Sequence, residues 1–410
     1  LGVYAQDEFL LSKNVNLTYG LRVDFPIYFT DPVDNPFSRG LRLLDENDKP
    51  ETVDQSKLPG AKPLFSPRIG FFWVVRGDRS TQLRGGTGIF TGRVPFVWIG
   101  NVISNPGANP NVWSPFNTGV PQIKTSDDAI LQQSFDLNAM DPDFKWPQVW
   151  TTNLAIDKKL PWDMLGTLEL VYGKDINAVI VRNADLVAPA APVRNLPAPD
   201  GRPFFRGHDS VGNDLHELNP DGHAGVYVID NTSDGYNFNA TAQLRKQFDF
   251  GLNAVLSYSF LVAKSQLKST EIASVLFAEN PVKGDPNKPE LSYSEFGNRH
   301  RIIGGATYTA RWSDNLATHF GLFVEVAEGN RFAGAGGNRY SYIYAGDVNG
   351  DGLGGNDLMY IPRNQSEIIF SPTDANGNFV ATVDQQWAKL NAFIEQDDYL
   401  SSHRGQIAER

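Results

Sequence analysis

The 410-residue sequence contains no cysteine. That excludes structural disulfides, thiolate nucleophiles and Cys-ligated metals. It also contains no apolar run near the roughly 18 residues of a transmembrane helix, so any passage through a membrane must be made by strands. Excess positive charge is missing too. The formal net charge is -11, which argues against a nucleic-acid partner and against polybasic attachment to anionic lipid. There is no Ser/His/Asp arrangement, no strand–turn–helix nucleophile elbow and no pair of carboxylates in a recognisable frame, so the reading is of a non-enzyme. Residues Leu1 to Phe9 have no basic n-region, apolar h-region or small-residue cleavage site and read as the middle of a strand. The expectation is a piece of a longer protein.

What is present is alternation. Val15, Leu17, Tyr19, Leu21, Val23 and Phe25 interleave with Asn16, Thr18, Gly20, Arg22 and Asp24, a period of two held for about eleven residues. That is roughly twice an ordinary soluble strand and enough to cross a bilayer at a tilt. Five hairpins are expected, over Val3–Leu11 with Val15–Phe25, Arg68–Val75 with Thr81–Thr91, Val149–Ile156 with Thr167–Tyr172, Tyr236–Phe248 with Leu252–Val262, and Arg301–Trp312 with Leu316–Val326. The turns within hairpins are short and rich in Gly, Asp, Asn and Pro. The connections between hairpins (26–66, 92–148, 173–235 and 263–300) are long, which is uncommon inside compact soluble domains.

A β-sandwich would also give each strand one apolar face. Three features favour a transmembrane barrel instead. The strands are long, the connections differ systematically between the two ends, and aromatics fall at strand ends on the apolar face. Trp312 and Phe248 lie beside short turns, and Tyr236 and Phe25 at the far ends. A one-residue slip would place Arg22, Asp24 or Arg245 in lipid, where an Arg at mid-depth costs roughly 2–4 kcal/mol. The short turns would be periplasmic and the long loops extracellular. About ten strands leave two open edges, which lipid does not tolerate, so further strands are expected outside this stretch.

Candidate functional residues are of two kinds. Arg22, Arg84, Gln243, Arg245, Arg311 and Glu325 fall on the polar face and would line the lumen, meeting either a plug or substrate, or only hydrating the wall. Asp347, Asn349, Asp351 and Asp357 lie in an Asp/Gly-rich stretch with oxygen ligands at alternate positions and Gly352 where a calcium loop turns sharply. A calcium loop wants a carboxylate at the twelfth position, where Leu358 stands. Calcium is therefore a possible cofactor beside the alternative of a plain Asx/Gly turn. His208, His216 and His223, with Asp209, Asp214 and Glu217, match no tight ligand spacing. Gly85, Gly86, Gly88 and Gly92 lie in a strand with no following amphipathic helix, and close packing explains them better than a phosphate loop. Residues 384–400 read as a helix capped by Asp384, with Trp387, Leu390, Phe393 and Ile394 on one face.

The stretches LGVYAQDEFLLSKNVNLTYGLRVDFP, FSPRIGFFW followed by LRGGTGIFTGRVP, YNFNATAQLRKQF, GNRHRIIGGATYTARW, YAGDVNGDGLGGNDLMYIP and LNAFIEQDDYLSSHRGQIAER together resemble the barrel of TonB-dependent outer-membrane receptors. Within that family they are most similar to the Oar-like branch, which carries an N-terminal carboxypeptidase-regulatory-like domain. The resemblance implies a barrel of about 22 strands, a plug domain, TonB as energy source and a large substrate. Plug, TonB-contacting box and closing C-terminal strand are not recognised in these 410 residues, so no residue is assigned to energy coupling. The expected fold is all-β, a partial transmembrane antiparallel barrel of about ten long strands, with residues 1–326 supplying strands and long loops. Residues 327–410 would form an extracellular region with the Asp/Gly turn and a short helix. Expected partners are outer-membrane lipid, the plug and remaining strands, TonB and a substrate. The rival readings are a secreted, calcium-stabilised sandwich or propeller acting on glycans, and a surface adhesin without transport.

Overall fold

A computed structural model describes residues 1–409 except 33, 106, 108–135, 190–199, 206, 209–213, 220–224, 268–270, 295–296, 329–341 and 375. Thirteen strands form one sheet: β1 (Gly2–Ser12), β2 (Val15–Asp24), β3 (Leu64–Val74), β4 (Thr81–Thr91), β5 (Leu137–Met140), β6 (Gln148–Leu160), β7 (Met164–Asn183), β8 (Val226–Thr232), β9 (Tyr236–Gln247), β10 (Leu252–Ser265), β11 (Ser292–Tyr293), β12 (His300–Ser313) and β13 (Leu316–Ala327). Ten of them make an antiparallel meander in the order β1-β2-β3-β4-β6-β7-β9-β10-β12-β13. The five expected hairpins are all present. The third is longer than its alternation suggested, because β7 runs for 20 residues. Its outer part leaves β9 and pairs with β8, and β8 pairs in turn with β5 in parallel.

The turns show why reversal occurs where it does. Gly77 and Gly251 adopt φ of 71° and 91°, a region that costs glycine nothing. The Pro161–Asp163 turn instead holds Trp162 and Asp163 at φ 63° and 55°. Gly85 serves packing. A Cβ there would lie 2.9 Å from the Phe71 ring and 2.8 Å from the Asn153 carbonyl oxygen, so the bare backbone is what lets Phe71 lie across the strand.

The apolar face of the meander is uncovered. Leu154, Leu256 and Leu322 are 48%, 56% and 64% exposed. Among the described residues no second sheet packs against them, and a sandwich would bury them. Aromatic side chains edge this face near the short turns, where Phe250 packs 5.2 Å from Phe248 and 6.5 Å from Tyr308, and Tyr308 stacks 6.4 Å from Phe320.

The main buried core lies in a cap at the outer end of the meander, where the long connections pack with β5, β8 and the outer part of β7. Val94, Trp98 and Val102 of helix α1 and its approach (α1, Phe96–Ser104) pack with Met140, Phe144, Val179, Val181, Tyr227, Ile229 and helix α2 (Ala273–Ala278). Trp98 donates its indole N–H to the Glu271 carbonyl oxygen at 2.7 Å. By sequence these stretches read only as loops. Their apolar residues lack any long period and meet only after β7, β5 and β8 have brought distant segments together.

Near the C-terminus, helix α3 (Val383–Gln396) starts at Thr382 rather than at Asp384. Thr382 and Gln385 exchange side-chain and backbone hydrogen bonds in a capping box, which uses two otherwise unpaired donors. A second helix, α4 (Asp398–Ser402), is capped by Asp397, so the helix expected over 384–400 is interrupted there. Ile394 and Leu400 pack with Ile361 and Ala408.

Candidate functional site

Residues directly opposite in an antiparallel ladder share a face, so register alone assigns the sheet's two surfaces. One row on the polar face runs Arg84, Ala155, Glu169, Thr241, Ser259, Arg301. The next runs Gln82, Asp157, Thr167, Gln243, Ser257, Ile303, Glu325. Arg245 stands opposite Leu165 and Val255, Arg22 opposite Ser66, and Arg311 opposite Ala317, all with the same parity. The six polar-face candidates thus lie on one surface but are spread across it.

Ion pairs tie this surface together across strands. Arg84 bridges Asp157 at 3.2 Å and Glu169 at 3.1 Å. Arg301 pairs with Glu325 at 2.8 Å, and Arg22 with Asp24 on its own strand at 2.7 Å. Thr167 donates to Asp157 at 2.6 Å. Around Arg84, Gln243 and Arg245 the wall forms a cleft of about 440 Å³, whose lining includes Arg79 and Lys159. Arg79 and Lys159 lie at its short-turn end. Sequence reasoning missed both because each sits beside a turn, where alternation gives no face.

The Asp/Gly turn is built differently. Asp347 accepts backbone N–H groups from Gly350 at 2.6 Å and Gly352 at 2.9 Å. Buried Asp351 accepts from the Asn349 and Asn356 side-chain amides, both at 2.9 Å. Asp357, fully buried, takes Arg202 at 2.9 Å and the Val348 N–H at 2.7 Å. Burial pushes the Asp351 carboxyl up, and that of Asp357 up to about 6. The four calcium candidates are thus brought into one turn whose carboxylates are already hydrogen-bonded. Among the described residues, no group of three or more His, Cys, Asp or Glu side chains is disposed to hold a metal ion.

His216 packs on Gly352, where glycine at φ 85° leaves room for the ring. Glu217 holds the His216 imidazole above its usual range, with help from Asp347 and Asp351. The histidine stretch and the Asp/Gly turn therefore meet, which no sequence spacing announced. His223 and Asp209 lie outside the described residues.

An uncovered apolar face, a polar face laced with ion pairs and aromatic edges are what a wall between lipid and water requires. The sequence matches the family model for an outer membrane beta barrel domain over residues 1–409. The chain belongs to the outer-membrane β-barrel family. It is an outer-membrane protein, and in a barrel wall the uncovered apolar face is the one that meets lipid. No curated protein matches the sequence. Three similar solved structures are the siderophore receptor PirA from Pseudomonas aeruginosa (10% identity, TM-score 0.36), PirA from Acinetobacter baumannii (11%, 0.39) and the outer membrane transporter YddB from Escherichia coli (12%, 0.38). They cover 79%, 81% and 75% of this barrel chain, which spans only 39%, 34% and 30% of theirs. Likenesses at this level add no argument to the family match.

Proposed function

We propose that this chain is barrel wall of a TonB-dependent receptor that takes up or binds a large substrate and catalyses no reaction. The observation that carries the reading is the polar face. Its cations and carboxylates are cross-linked at Arg84–Asp157–Glu169 and Arg301–Glu325, while Arg79, Lys159, Gln243 and Arg245 remain around an open cleft. A wall of this kind suits a lumen filled by another polar body rather than a dry core. The resemblance of the strand and loop segments to the TonB-dependent family, in its Oar-like branch, supplies the energy source and the plug. The packed cap over the outer ends of the strands is a platform for recognition on the cell surface.

The test uses the full-length gene product in its native membrane. Purified periplasmic domain of TonB is expected to be captured by the detergent-extracted receptor. Uptake of its ligand is expected to stop in cells lacking TonB. Capture failing while the protein still binds cells or matrix would return the chain to the adhesin reading.

A further inference from the structure

One row of the polar face changes character along its length. It crosses six strands, from Lys159 of β6 through Leu165 of β7, Arg245 of β9, Val255 of β10 and Gly305 of β12 to Phe323 of β13. Its first half carries cations and its second half is apolar. Arg79, in the turn before β4, joins the cationic half across the cleft described above. Ile303, between Ser257 and Glu325 in the adjoining row, extends the apolar half. Water-facing positions of a barrel wall are ordinarily polar. Leu165, Val255 and Ile303 break that rule on strands paired on both sides, so the register leaves them no other surface.

The apolar half is also hollow. Gly305 puts no side chain between Val255 and Phe323, and a Cβ there would lie 3.1 Å from a Val255 methyl. Gly321, opposite Thr307, has no atom beyond its chain neighbours within 4 Å of where a Cβ would stand. The result is a second cleft, of about 660 Å³, lined by Val255, Gly305, Gly321 and Phe323, with Asp163 the carboxylate among its lining residues. Leu165 and Arg245 line both clefts, so the two are continuous. From Lys159 to Phe323 is five strand spacings, roughly 24 Å, and from Arg245 to Phe323 three, roughly 14 Å. Arg84 is held by Asp157 and Glu169, but among the described residues Arg79, Lys159 and Arg245 form no ion pair.

We propose that this wall carries an exit-side subsite for an amphiphilic anion, with a carboxylate or phosphate head at Arg79, Lys159 and Arg245 and an apolar tail along Val255, Gly305 and Phe323. The subsite presupposes that the polar face is a lumen wall, as proposed above, and it names the substrate class. On that reading the short turns face the periplasm, so a molecule taken up meets this row last. Guanidinium groups select oxyanions over neutral heads. A wholly polar ligand would leave Val255, Ile303 and Phe323 wet, and a neutral apolar one would strip water from three unpaired cations. An anionic head on an apolar tail satisfies both halves of the row.

The experiment measures saturable binding of radiolabelled laurate to the full-length receptor in nanodiscs, with unlabelled laurate, dodecyl phosphate, dodecanol and acetate as competitors. Laurate is expected to bind wild type, and dodecanol and acetate to displace it only at concentrations at least tenfold above unlabelled laurate. The relative strength of laurate and dodecyl phosphate assigns the head. K159Q/R245Q is expected to weaken laurate binding tenfold or more. G321W, which fills the apolar half where no atom stands in its way, is expected to do the same with heat-modifiable mobility unchanged. K158Q/K174Q, which removes two lysines from the lipid-facing surface, is expected to bind as wild type does. Displacement by dodecanol as readily as by unlabelled laurate overturns the proposal. So does unchanged binding in K159Q/R245Q, or equal loss in K158Q/K174Q, which would mean partition into lipid beside the wall. No TonB enters this measurement. Absence of laurate binding in a receptor that still captures TonB therefore overturns the subsite and leaves the transporter reading intact, whereas laurate bound without TonB capture keeps the subsite and removes that reading.

Discussion

In the sheet, Leu154, Leu256 and Leu322 stand with about half or more of their surface uncovered, whereas in the cap Trp98, Val102 and Ile229 are all but sealed. The two regions belong to one chain and use the same residue types. They differ in what their apolar side chains meet, lipid in one case and each other in the other. Their polar groups follow suit. On the sheet Arg84 lies half-exposed between two carboxylates. In the cap Arg182 is buried against Glu51, with a second bond to Glu51 at 2.9 Å, and Arg202 is buried against Asp357. Buried pairs of this kind specify which loop docks where, because losing one partner strands a charge at a cost of about 3–5 kcal/mol. The sheet is therefore held by ladders and its surroundings, and the cap by a core of its own.

The largest expected effect comes from reversing the sheet's outward logic. Leu170→Arg, near the middle of the part of β7 that pairs with β9 (164–174) and on the apolar face, is expected to cost about 2–4 kcal/mol and to block membrane assembly. Leu244→Arg, nearer the short turns, is expected to do less, and Gln243→Arg on the polar face least. Heat-modifiable gel mobility of the full-length protein in outer-membrane fractions reads all three. Equal effects at 243 and 244 would erase the distinction between the faces.

Next comes the cap. Trp98→Ala removes a buried indole and its bond to Glu271, at about 3–5 kcal/mol. The expected result is cleavage by protease added to whole cells, with heat-modifiable mobility retained. Loss of both together would mean that cap and sheet are one cooperative unit.

How far these two regions were legible differs for a physical reason. A wall in lipid must alternate, so the five hairpins could be read from residues such as those of 15–25 and 236–260 without any tertiary information. The cap obeys no such rule. Val179 and Val181 pack with Tyr227 and Ile229 only because β7 outlasts its hairpin, and Trp98 meets Glu271 across a separation of 173 residues. The polar-face candidates were named from parity, while Arg79 and Lys159 needed coordinates. In the C-terminal region the amphipathic face of α3 is visible in the sequence, but Asp384 is a poor guide to its start: the Thr382–Gln385 box caps the helix and leaves Asp384 in the first turn.

A smaller effect distinguishes the cap by pH. Burial pushes the Asp185 carboxyl up to about 7, against bonds from Asn219 that lower it. A carboxyl raised on folding binds its proton more tightly in the folded state, so its cost to the cap is absent below about 4, grows as pH rises toward about 7 and levels off above that. The cap is expected to gain protease resistance, on the order of a few kcal/mol, between pH 7.5 and 5. Asp185→Asn, which can keep an oxygen toward Asn219, is expected to make that profile shallower, the remainder coming from Asp357. Heat-modifiable mobility, which reads the sheet, is expected to show no matching trend.

The smallest effect concerns the Asp/Gly turn, where calcium at Asp347, Asn349, Asp351 and Asp357 is a proposal from the residue pattern. Asp347 is filled by backbone N–H groups and Asp357 by Arg202, so the turn holds its shape through protein bonds. An ion would need the Asn349 and Asn356 amides to rotate away from Asp351. The Asn356 side-chain oxygen, buried and accepting no hydrogen bond, is the group that rotation would turn inward. Millimolar calcium is therefore expected to protect the turn from protease by about 1 kcal/mol or less, through simple mass action. Asp351→Asn is expected to abolish that increment while the turn stays folded, because an amide can still meet Asn349 and Asn356. Protection by magnesium equal to that by calcium would show unspecific screening of the acidic surface, and the turn would then belong wholly to the cap's hydrogen-bonded framework.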